Sequence, residues 1–327
     1  MLYVVCTRIL WNTNDLATLA GRSMDWPEST DPLIVASPSG RPRDGGNLAG
    51  TNVVGDNPLR WTSHYSSLVT TVYGLGGVDG FNDKGLAAHG LYLQSTDFGP
   101  RDNSKPGVHA GLWVQYLLDQ AGSVAEALAL MADIDVVMVS ARGHEATLHV
   151  ALEDVSGDSA IIEFAAGKQV VHHGREFTLM TNDPTYDEQL GLLSQQDFSQ
   201  PDRNMPLPGN VSAVDRFQRA AYYSALLPKP DTERQAVASV MAIMRNVSVP
   251  FGAPYGEFGV YNTEYRTVCD LTNRVYYFEL TTSPNTVWVQ FDGLNLTPGG
   301  DPLAVDPYDW TMVGDVTTRF TPTQLRY

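Results

Sequence analysis

Cysteine is scarce in this chain: 327 residues hold two, Cys6 and Cys269. That excludes a disulfide scaffold and a zinc site built from four thiolates, and leaves at most one disulfide. Positive charge is scarce too. Against 37 Asp and Glu stand 21 Lys and Arg, a formal net charge of −16. Nucleic acid is thereby excluded as the main partner, because phosphate binding needs clustered basic side chains. No apolar run reaches the roughly 18–20 residues of a membrane span, so no membrane partner is expected. Met1–Val5 is shorter than a signal peptide, whose apolar stretch alone takes about 7–15 residues. As written, the chain is expected in the cytoplasm; with an upstream signal segment lost, it is expected in the periplasm.

Several motifs are missing as well. There is no G-x-x-x-x-G-K-[ST], which excludes a P-loop NTPase, and no H-E-x-x-H. Gly21-Arg-Ser-Met-Asp25 starts like a nucleophile elbow but ends in Asp where the second glycine belongs. That counts against a serine hydrolase of the α/β class. Seven histidines form no metal template. His172 and His173 adjoin in a strand-like run and point to opposite faces. Neither a metal nor another cofactor is expected.

What is present is the balance of a folded protein, 43% hydrophobic and 18% charged. Many short apolar runs read as strands. Cys6–Trp11 and Leu16–Met24 flank Asn12-Thr-Asn-Asp15, polar turn formers that predict a hairpin. Further strands are predicted at 67–73, 85–93, 147–153, 159–164, 169–172, 177–181, 266–271, 275–280 and 286–291. Gly74–Gly80 reads as a turn between strands, and Ser37–Pro58 as a surface loop, either near a site or merely loose. Helices are predicted at 107–120, at 124–132 behind the capping box Ser123-Val-Ala-Glu126, and at 213–226 and 232–245. Strands in blocks with helices between them fit an α+β domain better than βαβ alternation.

Position alone makes Cys6 a buried strand cysteine, and Cys269 has the same reading. Removal of Met1–Val5 would change the chemistry of Cys6. A terminal cysteine carries a thiol and, in its α-amine, a base titrating near ~7.7–8.0. The hairpin folds Arg22 and Asp25 back toward it. Eight blocks then occur in order: Cys6-Thr-Arg, Gly21–Trp26, Asp79–Ala87, Ser156–Glu163, Met180–Asp187, Asp215–Ala220, Asn246–Pro250 and Tyr265–Val268. In these the chain resembles the choloylglycine hydrolase family of N-terminal-nucleophile (Ntn) amidases, which includes bile salt hydrolases and penicillin V acylases. Trp26 directly after Asp25 makes it most similar to the Gram-negative acylase branch.

The resemblance implies an αββα sandwich, two antiparallel sheets between helical layers, in a single domain over 6–327 with 1–5 removed. It implies Cys6 as nucleophile, Arg22 and Asp25 beside it, and Asn182 and the backbone N–H of Tyr92 as oxyanion donors. Arg216 matches the family's further active-site arginine. Tyr92 departs from the Asn usual in bile salt hydrolases. With Trp26 it implies an apolar pocket for an aryl or alkyl acyl group, hence a small-molecule amide such as penicillin V or an N-acyl homoserine lactone. A bile salt hydrolase, or a relative that binds acyl amides without cleaving them, is the alternative. The stretch from Asn182 to Arg216 is shorter than in the bile salt hydrolases, where it carries a tetramer-assembly loop. A homo-oligomer would then form through other contacts.

Overall fold

The structure is a computed structural model that describes residues 5–254 and 259–327. Residues 1–4 of the expected leader lie outside the described residues. Two β-sheets face one another. One has seven strands, and six of them are β1 (Val5–Trp11), β2 (Leu19–Asp25), β10 (Leu179–Met180), β11 (Thr263–Asp270), β12 (Val275–Leu280) and β13 (Thr286–Gln290). The order is β10-β1-β2-β11-β12-β13, and Gly314–Asp315 adds the last strand in parallel to an otherwise antiparallel sheet. The other sheet has nine strands, wholly antiparallel. Its members include β3 (Ile34–Ser37), β4 (Ser67–Thr71), β5 (Gly77–Asn82), β6 (Leu86–Tyr92), β7 (Leu148–Asp154), β8 (Ser159–Ala165) and β9 (Lys168–His173). These run β9-β8-β7-β6-β5-β4-β3, continued by Leu303–Val305 and Thr321–Pro322.

Helices cover both outer faces. α1 (Ala110–Gln120) lies on β5 and β6, and α2 (Val124–Leu130) on β7. On the other side, α4 (Ala213–Ala225) packs on β1, and α5 (Glu233–Asn246) on β2 and β11. The αββα order follows from burial. β2, β4 and β6 are buried at every residue, as strands covered on both faces must be. Gly21 shows how close α5 comes: a Cβ there would stand 2.8 Å from Met244 Cγ and Val240 Cγ1.

Expected and observed elements differ in several places: β3 and other short strands, some within 37–58, were not predicted, and three further differences bear on the packing. Gly107–His109 is a short strand paired with Asp135–Val137, so the helix predicted from 107 starts at Ala110. The glycine-rich run is a turn only to Gly76, after which β5 begins. Gly76 is required by packing, since a Cβ would lie 1.9 Å from the Gly111 carbonyl of α1. A helix not predicted, α3 (Tyr186–Leu193), starts in a capping box of Thr185 and Glu188. Thr185-Tyr-Asp-Glu188 carried that signal.

Candidate active site

The hairpin of β1 and β2 builds most of the site. Asn14 organises its turn, accepting from the N–H groups of Leu16 and Ala17. The register pairs Cys6 with Met24, Thr7 with Ser23, and Arg8 with Arg22. Side chains alternate along a strand, so Cys6, Arg8, Arg22 and Met24 face the second sheet. Thr7, Ser23 and Asp25 face α4.

On the inter-sheet face, Cys6 is almost wholly buried. Arg22 Nη2 lies 3.9 Å from its sulfur, as does Met24 Sδ. Arg22 is held by the Tyr265 hydroxyl, which accepts from Nη1 at 2.7 Å, and by the Gly90 carbonyl, which accepts from Nη2 at 3.2 Å. Among the described residues no carboxylate lies within ion-pair distance of this guanidinium, and its Nε has no hydrogen-bond partner. Burial pushes the Cys6 thiol up, while Arg22 pulls it down.

The helix face is different. Arg216, fully buried on α4, donates to the Cys6 carbonyl at 2.9 Å and pairs with Asp25 at 3.3 Å. It also donates to the Thr7 hydroxyl. Thr263 and Ser23 give Asp25 further hydrogen bonds. Burial pushes the Asp25 carboxyl up, against the pull of Arg216. Arg216 is thus no surface charge of its helix.

Asn182, just past β10, joins the two faces. Its Oδ1 accepts from the Cys6 backbone N–H and from Arg216 Nη2, and its Nδ2 donates to the Tyr92 carbonyl at 2.5 Å. Tyr92 sits where β6 parts from β5. The Leu93 N–H bonds Thr147 on the β7 side, so the N–H and C=O of Tyr92 point to the opposite edge. There the β5–β6 ladder has ended at His89 and Asp79. The gap it leaves receives Arg22 on the Gly90 carbonyl and Asn182 on the Tyr92 carbonyl.

The same gap opens into a largely apolar pocket with a cavity volume of about 120 Å³. Cys6, Trp26, Tyr73, Gly90, Tyr92 and Val114 are among its walls, and Leu48 brings the Ser37–Pro58 loop to it. Trp26 meets Tyr92 edge to face at 6.0 Å and His144 at 5.1 Å. Tyr73 accepts from Trp26 Nε1 at 2.7 Å. Cys6, Arg22, Asp25, Asn182, Arg216 and Tyr92, each proposed from sequence, therefore meet in one place, with Trp26 on the adjoining wall. Sequence reasoning assigned no role to Tyr265, Thr263 or Tyr73. The strand predicted from 266 left Tyr265 and Thr263 outside it, though it runs from Thr263 to Asp270, and hydroxyl partners leave no pattern in a sequence.

The arrangement offers a sulfur, an unpaired guanidinium and free donors at the mouth of an acyl-sized pocket. Residues 6–311 match the linear amide C–N hydrolases of the choloylglycine hydrolase family. The chain belongs to that family. A penicillin V acylase of Pectobacterium atrosepticum is 35% identical, over 98% of this chain and 91% of the relative. A bile salt hydrolase/transferase of Clostridium perfringens is 25% identical, over 84% of this chain and 88% of its own. The solved structure of penicillin V acylase from Agrobacterium tumefaciens superposes with a TM-score of 0.86 at 34% identity, covering 98% of both chains. The fold is that of the Ntn hydrolases, and the protein is a linear amide C–N hydrolase.

Proposed function

We propose that Cys6, made N-terminal by removal of residues 1–5, is the nucleophile that cleaves N-acyl amides such as penicillin V and N-acyl homoserine lactones. The observation that carries this reading is Arg22, a buried cation with no carboxylate partner among the described residues, 3.9 Å from the Cys6 sulfur. A buried unpaired charge is costly, and a thiolate beside it would balance the charge.

Burial opposes that ionisation, so a base is needed. The α-amine released at Cys6 would take the thiol proton, directly or through water. Sulfur then attacks the amide carbonyl carbon, and the carbonyl oxygen becomes an oxyanion. Asn182 Nδ2 has a second N–H beyond the one given to Tyr92. With the Tyr92 N–H it would supply the two donors that this charge requires. Collapse expels the amine, which takes a proton from the Cys6 ammonium. Water then attacks the thioester and returns the thiol. Asp25 contributes through Arg216, which grips the Cys6 carbonyl and keeps the nucleophile in register.

Intact mass of the purified protein and steady-state assays test this together. Loss of 1–5 and preference for penicillin V or a long-chain acyl homoserine lactone are expected. A preference for glycocholate above about tenfold, ~1.4 kcal/mol of transition-state discrimination, would overturn the substrate assignment. A chain that keeps 1–5 and resists thiol reagents at Cys6 would instead be a binding protein.

A further inference from the structure

Behind the pocket, two rows of polar side chains face each other across the sandwich. In the seven-stranded sheet the row is Arg8, Arg22 and Thr267, neighbours on β1, β2 and β11. In the nine-stranded sheet it is Glu153, His89 and Asp79, on β7, β6 and β5. All six are buried. Arg8 and Arg22 are directly opposed like charges, an arrangement that destabilises a sheet unless anions compensate. The anions are present but unequally shared. Glu153 accepts from Arg8 Nε at 3.1 Å and Nη2 at 2.5 Å, and also meets His89 Nε2 at 2.5 Å. Asp79 meets His89 Nδ1, accepts from the Tyr276 hydroxyl at 2.5 Å and from the Thr267 hydroxyl at 2.8 Å. Arg22, in the middle of its row, has none.

Both ring nitrogens of His89 face carboxylate oxygens, which suits an imidazolium donating twice. Such a cation occupies Glu153 and Asp79, and Asp79 is a carboxylate whose charge reaches Arg22 across the sandwich. We propose that His89 is a positioning residue of the amidase: by holding Asp79 and Glu153 it denies Arg22 a carboxylate partner and leaves that guanidinium for the Cys6 sulfur. His89 also ends the β5–β6 ladder one residue before Gly90, whose carbonyl orients Arg22. The inference rests on Cys6 being the nucleophile. Burial pulls the imidazole down, but Glu153 and Asp79 outweigh it and push it up to about 9, in line with a standing cation at neutral pH.

The test is the pH profile of Cys6 alkylation by iodoacetamide, mapped by peptide mass so that Cys269 is distinguished. In His89→Gln, Asp79 is free to attract Arg22. The profile moves up by about one pH unit and the rate near pH 7 falls about tenfold. kcat falls with it while KM stays within about twofold. Asp79→Asn removes the competitor for Arg22 and moves the profile down. In His89→Gln/Asp79→Asn the profile returns toward wild type, a rescue that no purely structural role predicts. An unchanged profile in His89→Gln overturns the proposal. If that variant does not fold, Asp79→Asn decides alone: a downward move supports the proposal, and no move or an upward one overturns it. Cys6→Ala separates the two readings. Retained hydrolysis in that variant removes the nucleophile and this inference with it. A dead Cys6→Ala beside an unmoved His89→Gln profile removes only the role of His89.

Discussion

Two buried arginines flank Cys6, and they are opposites. Arg216 approaches from the helix side and is paired with Asp25. Arg22 approaches from the inter-sheet side and is held by a phenol, a carbonyl and sulfur. Both are fully buried. The first arrangement is what stability asks of a buried cation. The second leaves a positive charge uncompensated, and that is useful only where a negative charge is to form. The alternation of one hairpin therefore separates the face with the paired arginine from the face with the unpaired one, on residues one apart in sequence.

Substitution should split the two. Arg216→Met strands Asp25 as a buried unpaired carboxylate and should cost about 3–5 kcal/mol in denaturant melts, with activity lost alongside. Arg22→Met removes a cation that had no carboxylate partner. Its stability should stay within about 1 kcal/mol of wild type, because the lost hydrogen bonds to Tyr265 and Gly90 are offset by relief of an unpaired charge. Turnover, by contrast, should fall about 10²–10³-fold. Equal destabilisation by both substitutions would erase the distinction.

A second effect comes from the cluster that keeps Arg22 unpaired. The His89 pKa is raised by folding from 6.5 to about 9. A raised folded-state pKa gives stability that is complete below the unfolded value and lost as pH climbs through the folded one. Stability should therefore decline between pH 6.5 and about 9, by on the order of 3 kcal/mol if His89 alone is responsible. Melts across that window check the sign, and in His89→Gln the decline should flatten.

Much of this fold was legible in the sequence because local chemistry is explicit there. The polar turn Asn12–Asp15 announced the β1–β2 hairpin. Ser123-Val-Ala-Glu126 announced α2, and Ser123 does accept from the Glu126 N–H. Local signals also misled where packing overruled them. Gly77 and Gly80 read as part of a turn but lie in β5, because nothing in the sequence shows how closely β4 passes: a Cβ on Gly80 would stand 2.1 Å from the Leu68 carbonyl. The residues that meet around Cys6 were legible through their blocks, but the state of their charges was not. That Arg216 has a carboxylate in Asp25, while Asp79 and Glu153 are turned to His89 rather than to Arg22, is set by residues far apart in the chain and brought together only by the fold. Alternation could place each on a face, but not say which would pair.

The smallest effect concerns the wall opposite the sulfur, where binding rather than chemistry is at stake. Tyr73 accepts from Trp26 Nε1 at 2.7 Å and donates to Glu28 at 2.6 Å, while the Arg142 guanidinium lies 4.3 Å from its ring centre. The hydroxyl thus fixes the plane of Trp26 against the pocket. It touches neither Cys6 nor Arg22. In Tyr73→Phe the ring and its cation contact remain, and water at this half-exposed mouth can replace the lost acceptor. The cost should be one net hydrogen bond, about 0.5–1.5 kcal/mol, felt in how well the acyl group is seated. KM should rise about two- to tenfold with kcat unchanged, the mark of lost uniform binding. A fall in kcat instead would mean that Trp26 orients the scissile amide as well as its acyl group, and the reactive face would then extend beyond Cys6 and Arg22 to the aromatic wall.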